Sequence, residues 1–209
     1  MKKIKYLYSL VYLLILFAVT SCTPSITIKS RTDNRVDMEF NIKAGETLKS
    51  MLDMYGIPFN DSDTLARMKN GMKDNTFYNV KAKATGDDSF MLAGTVLPVA
   101  TQNVVLRKDR QLIVNLSPKD MKAFASSLPD EFMAYMDMLA APVFTGEQLS
   151  QEEYLGVISA IYGQTFATEL EKSDITITLE SPEGKKETFS LPLVEFLTLS
   201  EEKTFSLKY

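Results

Sequence analysis

Near its beginning the chain carries apolar side chains at every second position on both sides of a polar break. Ile26 and Ile28 alternate with Thr27 and Lys29, Asp33-Asn34 interrupts, and Val36, Met38, Phe40 and Ile42 alternate with Asp37, Glu39 and Asn41. Successive strand side chains point to opposite faces, so this spacing makes a β-hairpin whose apolar face must be covered by something else. The pattern returns further on. A second hairpin is expected from about Thr76 to Leu97, turning at Gly86-Asp87-Asp88, and a third from about Asn103 to Leu116, turning at Lys108-Asp109. Towards the end Ile175, Ile177 and Leu179 alternate, Pro182-Glu183-Gly184 turns, and Phe189 and Leu191 alternate back, followed by Phe205, Leu207 and Tyr209.

Helical spacing fills the intervals. Leu48, Met51, Leu52 and Tyr55 fall on one helix face with Gly56 placed to end it, and Asp61 or Ser62 caps a second helix through Leu65, Met68 and Met72. Ser117-Pro118-Lys119-Asp120 is a start signal, Pro129-Asp130-Glu131 opens a helix stopped by Pro142, and Ser150 with Glu153 forms a capping box. That box opens the longest expected helix, through Leu155, Ile158, Ile161, Phe166 and Leu170; Leu193 to Leu199 fits either a short helix or a buried strand. Hairpins with segregated helices define the expected class as α+β, with antiparallel hairpins forming one sheet or a sandwich and helices on one side. The connection from Pro142 to Leu149 is too short to separate domains, so residues 25–209 are expected to be a single globular domain.

Composition removes several chemistries. Among 209 residues there is no His and one Cys. No Ser-His-Asp triad, Cys-His dyad, His-ligated zinc site or disulfide can be built within this chain. No Gly-x-Ser-x-Gly elbow and no phosphate-cradling glycine loop is present, and the formal charge of −4 argues against a nucleic-acid partner. A non-enzymatic protein with no cofactor and no bound metal is the expectation.

The first 22 residues have a different character. Lys2, Lys3 and Lys5 precede an apolar run from Leu10 to Val19, too short for a comfortable membrane span, which needs about 20 apolar residues. The run ends in Val19-Thr20-Ser21-Cys22. This segment resembles the lipobox of bacterial lipoproteins, and the resemblance implies a diacylglyceryl group on Cys22, cleavage between Ser21 and Cys22, and acylation of the new amino group. Residues 1–21 are then a signal peptide and 22–24 the tether. Loss of Lys2, Lys3 and Lys5 takes the net charge from −4 to −7, so the acyl chains alone would hold the protein to an anionic membrane. Thr23, not Asp, follows the Cys, which leans towards the outer membrane in a cell that has one. The hairpin from Ile26 to Ile42 set directly after the lipid Cys is also similar in layout to the small LppM-type envelope lipoproteins.

Two acids stand in apolar surroundings. Asp137 lies in Phe132-Met133-Ala134-Tyr135-Met136-Asp137-Met138-Leu139, and Glu195 between Leu193-Val194 and Phe196-Leu197. Each is either a polar anchor for a ligand or catalytic acid, or one half of an ion pair, since an isolated buried charge costs several kcal/mol. Methionine pairs at Met51/Met54, Met68/Met72 and Met133/Met136 suit core packing, an apolar groove or Cu(I), with core packing the simplest reading. The resulting expectation is a lipid-anchored envelope protein that scaffolds or binds an envelope protein. Its rivals are a carrier of an apolar small molecule or lipid and an enzyme built on carboxylates.

Overall fold

Two sheets of unequal size organise the chain. The structure, a computed structural model, describes residues 23–54, 61–74, 77–96, 104–125 and 141–209. β1 (Ser25–Ser30) and β2 (Val36–Lys43) form the first hairpin, β3 (Phe77–Gly86) and β4 (Ser89–Val96) the second, and β5 (Val105–Lys108) and β6 (Gln111–Leu116) the third. β7 (Asp174–Glu180) and β8 (Lys186–Pro192) form the fourth, and β9 (Lys203–Lys208) closes the chain. The larger sheet has the order β3-β4-β2-β1-β7-β8 and the smaller β5-β6-β9.

Register places the alternating residues in layers. Ile26 sits opposite Phe40 and Ile28 opposite Met38, while Phe40 and Ile42 face Leu92 and Phe90 on β4. Ile26 and Ile28 also stand beside Ile177 and Leu179 of β7. All of these share one face, and Thr27, Lys29, Asp37, Glu39, Asn41, Thr176 and Thr178 share the other. The apolar face is the covered one. Ile28, Met38, Leu92, Ile177 and Leu179 belong to the same buried cluster as Leu112, Val114 and Leu207 of the small sheet and Tyr154, Ile158, Phe166 and Leu170 of the helices. An α+β fold follows, as expected.

The β1–β7 pairing is where the sheet departs from a purely antiparallel one. These strands run parallel, with Ser25 beside Thr176 and Lys29 beside Glu180. Hairpin spacing fixes local partners only, and this pair is joined across most of the chain.

The helices are α1 (Glu46–Met54), α2 (Ser62–Asp74), α3 (Pro118–Ala125), α4 (Pro142–Thr145), α5 (Gln151–Tyr162), α6 (Gln164–Glu171) and α7 (Leu193–Leu197). The Asp61 carboxylate caps α2 by accepting from the backbone N–H groups of Asp63 and Thr64 at 3.0 and 3.1 Å. Ser150 and Glu153 form the reciprocal capping box of α5, at 3.2 and 2.8 Å. The single helix expected from Ser150 through Leu170 is instead two. Gly163, at φ 91 and ψ 158, breaks it, a conformation open to glycine and strained for other residues. Residues 142–145, expected as loop, form one helical turn after Pro142, and Leu193–Leu197 is the short helix of the two alternatives. The helix expected from Pro129 to Ala141 lies outside the described residues, apart from Ala141 itself, which precedes α4.

Candidate functional site

The two ends of the large sheet differ in chemistry. At one end β1 begins, β2 finishes, β3 turns into β4, and β7 leaves α6. There the Thr23 N–H donates to the Lys43 carbonyl at 3.2 Å, and the Thr176 N–H donates to the Pro24 carbonyl at 3.0 Å. The Ala44 N–H donates to the Asp88 carbonyl at 2.8 Å, and Lys43 Nζ lies 3.7 Å from Asp88 Oδ2. Ser190 Oγ donates to Asp174 Oδ2 at 3.1 Å. Strand hydrogen bonding therefore starts at the residue immediately after Cys22. Cys22 and Ser21 themselves lie outside the described residues.

The opposite end carries Arg31, Arg35, Arg107 and Arg110, four of the chain's five arginines. Arg31 lies 3.5 Å from both Asp33 and Asp37, and Arg35 lies 3.4 Å from Asp33 with its guanidinium 5.4 Å from the Tyr78 ring centroid. Arg107 donates to Asn34 Oδ1 at 3.1 Å and to the Arg35 carbonyl at 3.0 Å, while Arg110 Nε donates to the Tyr209 carbonyl at 2.9 Å. Planar guanidinium groups with several donors thus tie the β1–β2 turn, the β5–β6 turn and the end of β9 into one pole. Asn34, Asp109 and Arg110 all have positive φ there, the last two forming the two-residue turn of a tight hairpin.

On the polar face, Glu180 is 10% exposed and accepts from Lys29 Nζ at 2.6 Å, with Lys186 Nζ at 3.1 Å. The Lys29 hydrogen bond, then that of Lys186, holds the Glu180 carboxyl below the usual range despite the opposing cost of burial, and the Lys29 ammonium is raised by the same contact. This cluster was not legible from the sequence, because Lys29 meets Glu180 only through the parallel β1–β7 pairing. The arginine pole did leave a signal: all four arginines flank β-turns.

Of the two acids singled out from sequence, Asp137 lies outside the described residues. Glu195 is on α7, half-buried, while its neighbours Leu193, Val194, Phe196 and Leu197 are buried. Its carboxylate pairs with Lys203 at the start of β9. Met38, Met68, Met91 and Met121 are core residues, Met68 fully enclosed. Met133 and Met136 lie outside the described residues, as do the side chains of Met51, Met54 and Met72. A groove of about 340 Å³ between α5 and α6 is lined, among the described residues, by Leu155, Gly156, Ser159, Ala160, Ala167 and the polar Gln164 and Glu171, none of them Met or aromatic.

Among the described residues no group of three or more His, Cys, Asp or Glu could hold a metal ion, and no helix is long and apolar enough to cross a membrane. Burial drives the Tyr154 hydroxyl pKa far up, as fits its position in the core. The chain matches no protein-family model and no curated protein.

Proposed function

We propose that this chain is a lipid-anchored protein of the bacterial cell envelope, tethered through acyl chains on Cys22, with a non-enzymatic scaffold or binding role. The observation that carries the reading is the sequence Val19-Thr20-Ser21-Cys22 after a basic and then apolar segment, and the hydrogen bond from Thr23 to Lys43 sets the folded body directly after that Cys. Two or three acyl chains give stable attachment where one gives only marginal binding, and a net charge of −7 after cleavage adds no attraction to anionic lipid. Thr23 after the Cys favours the outer membrane in a cell that has one, and otherwise the outer face of the cytoplasmic membrane. The binding role would fall to the exposed body, for a protein of the envelope.

Metabolic labelling with a fatty-acid analogue tests the anchor. Label should enter the wild-type protein and vanish in Cys22→Ser, whereas label that persists in Cys22→Ser sinks the proposal. The carrier alternative draws on the α5–α6 groove, and native mass spectrometry of a detergent-free soluble form separates it. A retained lipid-sized mass favours the carrier, and the bare polypeptide mass favours the scaffold.

A further inference from the structure

We infer that the large sheet stands end-on to the lipid surface, with the end that holds Lys43, Asp88 and Asp174 against the headgroups and the arginine pole facing away. The inference rests on acylation of Cys22 and adds to it the face presented to the membrane.

Adjacent Cα atoms are about 3.8 Å apart, so an acylated Cys22 cannot stray far from Thr23. Thr23 is fixed by its N–H to Lys43, and Pro24 by its carbonyl to Thr176. The lipid is therefore bonded one residue from a backbone paired on both sides, and a flexible stalk between them is absent. Whatever lies beside Thr23 must lie beside the bilayer: the end of β2, the β3–β4 turn next to Ser89, and the start of β7 at Asp174. At about 3.3 Å per residue, Arg31 is roughly 26 Å further along the chain. The turns at 31–35 and 181–185 close the same far end, since Ser30 pairs with Val36 and Glu180 with Lys186.

Charge at the near end leans acidic, with Lys43 set against Asp88 and further acids at Asp87 and Asp174. Such an end meets anionic headgroups without strong attraction, leaving the covalent lipid to hold it there. The arginine pole, whose Arg31, Arg35 and Arg110 are paired with Asp33, Asp37 and Glu183, is presented to the envelope space.

The chain's only Cys is consumed by the lipid, so one introduced thiol is unique for labelling. The test uses the full acylated protein carrying Asp87→Cys or Glu183→Cys, both at exposed turns, each bearing a fluorophore. It is reconstituted in phosphatidylethanolamine–phosphatidylglycerol vesicles doped with a headgroup spin-labelled lipid. The label at position 87 should be strongly quenched and the label at 183 nearly unaffected. Equal quenching, or stronger quenching at 183, overturns the orientation. An intact mass without acyl chains overturns the anchoring beneath it, and so the two failures are told apart.

Discussion

The backbone N–H of Thr23 donates to the carbonyl oxygen of Lys43 at 3.2 Å, so backbone pairing to β2 begins at the residue following Cys22, two residues before β1. Under the proposed acylation of Cys22, a body joined this closely to its lipid could neither rotate freely nor reach far from the bilayer. Inserting ten Gly/Ser residues between Cys22 and Thr23 provides slack of about 17 Å. The insertion should leave unfolding free energy within about 0.5 kcal/mol of wild type, since it adds only surface chain. It should also abolish the difference in vesicle quenching between positions 87 and 183. A large loss of stability would mean that Cys22 contributes packing of its own.

Glu180 accepts from two lysines on the polar face. Glu180→Gln should cost about 1 kcal/mol, because charge-assisted hydrogen bonds are lost at a site where both lysines reach solvent. Urea midpoints at pH 7 measure this, and a double-mutant cycle with Lys29→Met isolates the pair.

Three carboxyls are held low in the folded state: Glu180 by Lys29 and then Lys186, Asp61 by the Thr64 hydroxyl and N–H, and Glu153 by the Ser150 N–H. Each has a lower pKa folded than unfolded, so the unfolded chain takes up protons first on acidification. Their contribution is complete above the unfolded values, near pH 4, and disappears as pH falls through the folded ones. Stability should be level from pH 7 to about 5 and decline below that, less steeply in Glu180→Gln. A decline as steep in the variant as in wild type would mean that Glu180 contributes nothing to the acid sensitivity.

Gly163 has φ 91 and ψ 158 with open space around the position a Cβ would take. Gly163→Ala should therefore cost about 1–3 kcal/mol through backbone strain alone, without a steric clash. A neutral substitution would mean that α5 and α6 can fuse into one continuous helix, the arrangement expected from the capping box at Ser150.

Glu195 is paired with Lys203 at a half-buried position, and Leu179 is fully buried between β1 and β8. Glu195→Gln should change stability by less than about 1 kcal/mol, whereas Leu179→Ala should cost about 2–5 kcal/mol. Chemical denaturation of the two variants side by side checks the ranking. The opposite order would put Glu195 in the role of a buried polar anchor.

The hairpins were legible because alternation and turn residues are local. Ile26 to Ile42 carries its partner within reach, as does Ile175 to Leu191. The β1–β7 contact was not legible, since period-2 spacing says which face a residue occupies and nothing about which distant strand lies alongside. That one missing contact also hid the Lys29–Glu180–Lys186 cluster. The Gly163 break was hidden for another reason: the apolar period runs on from Ile158 to Phe166 and Leu170, which all enter the core from two separate helices. At Leu193 to Leu199 the run is short and interrupted only by Glu195 and Thr198, so periodicity could not choose between helix and strand. Glu195 found its partner on β9, eight residues on, as one of the two readings of that acid required.

Intact mass spectrometry of the mature protein, purified with detergent from a bacterial host, reads the proposed acylation of Cys22 without intermediaries. The expected chain begins at Cys22 and carries the added mass of a diacylglyceryl group and normally a third acyl chain on the same residue. An unmodified Cys22, or a mature chain beginning elsewhere, would contradict the proposal.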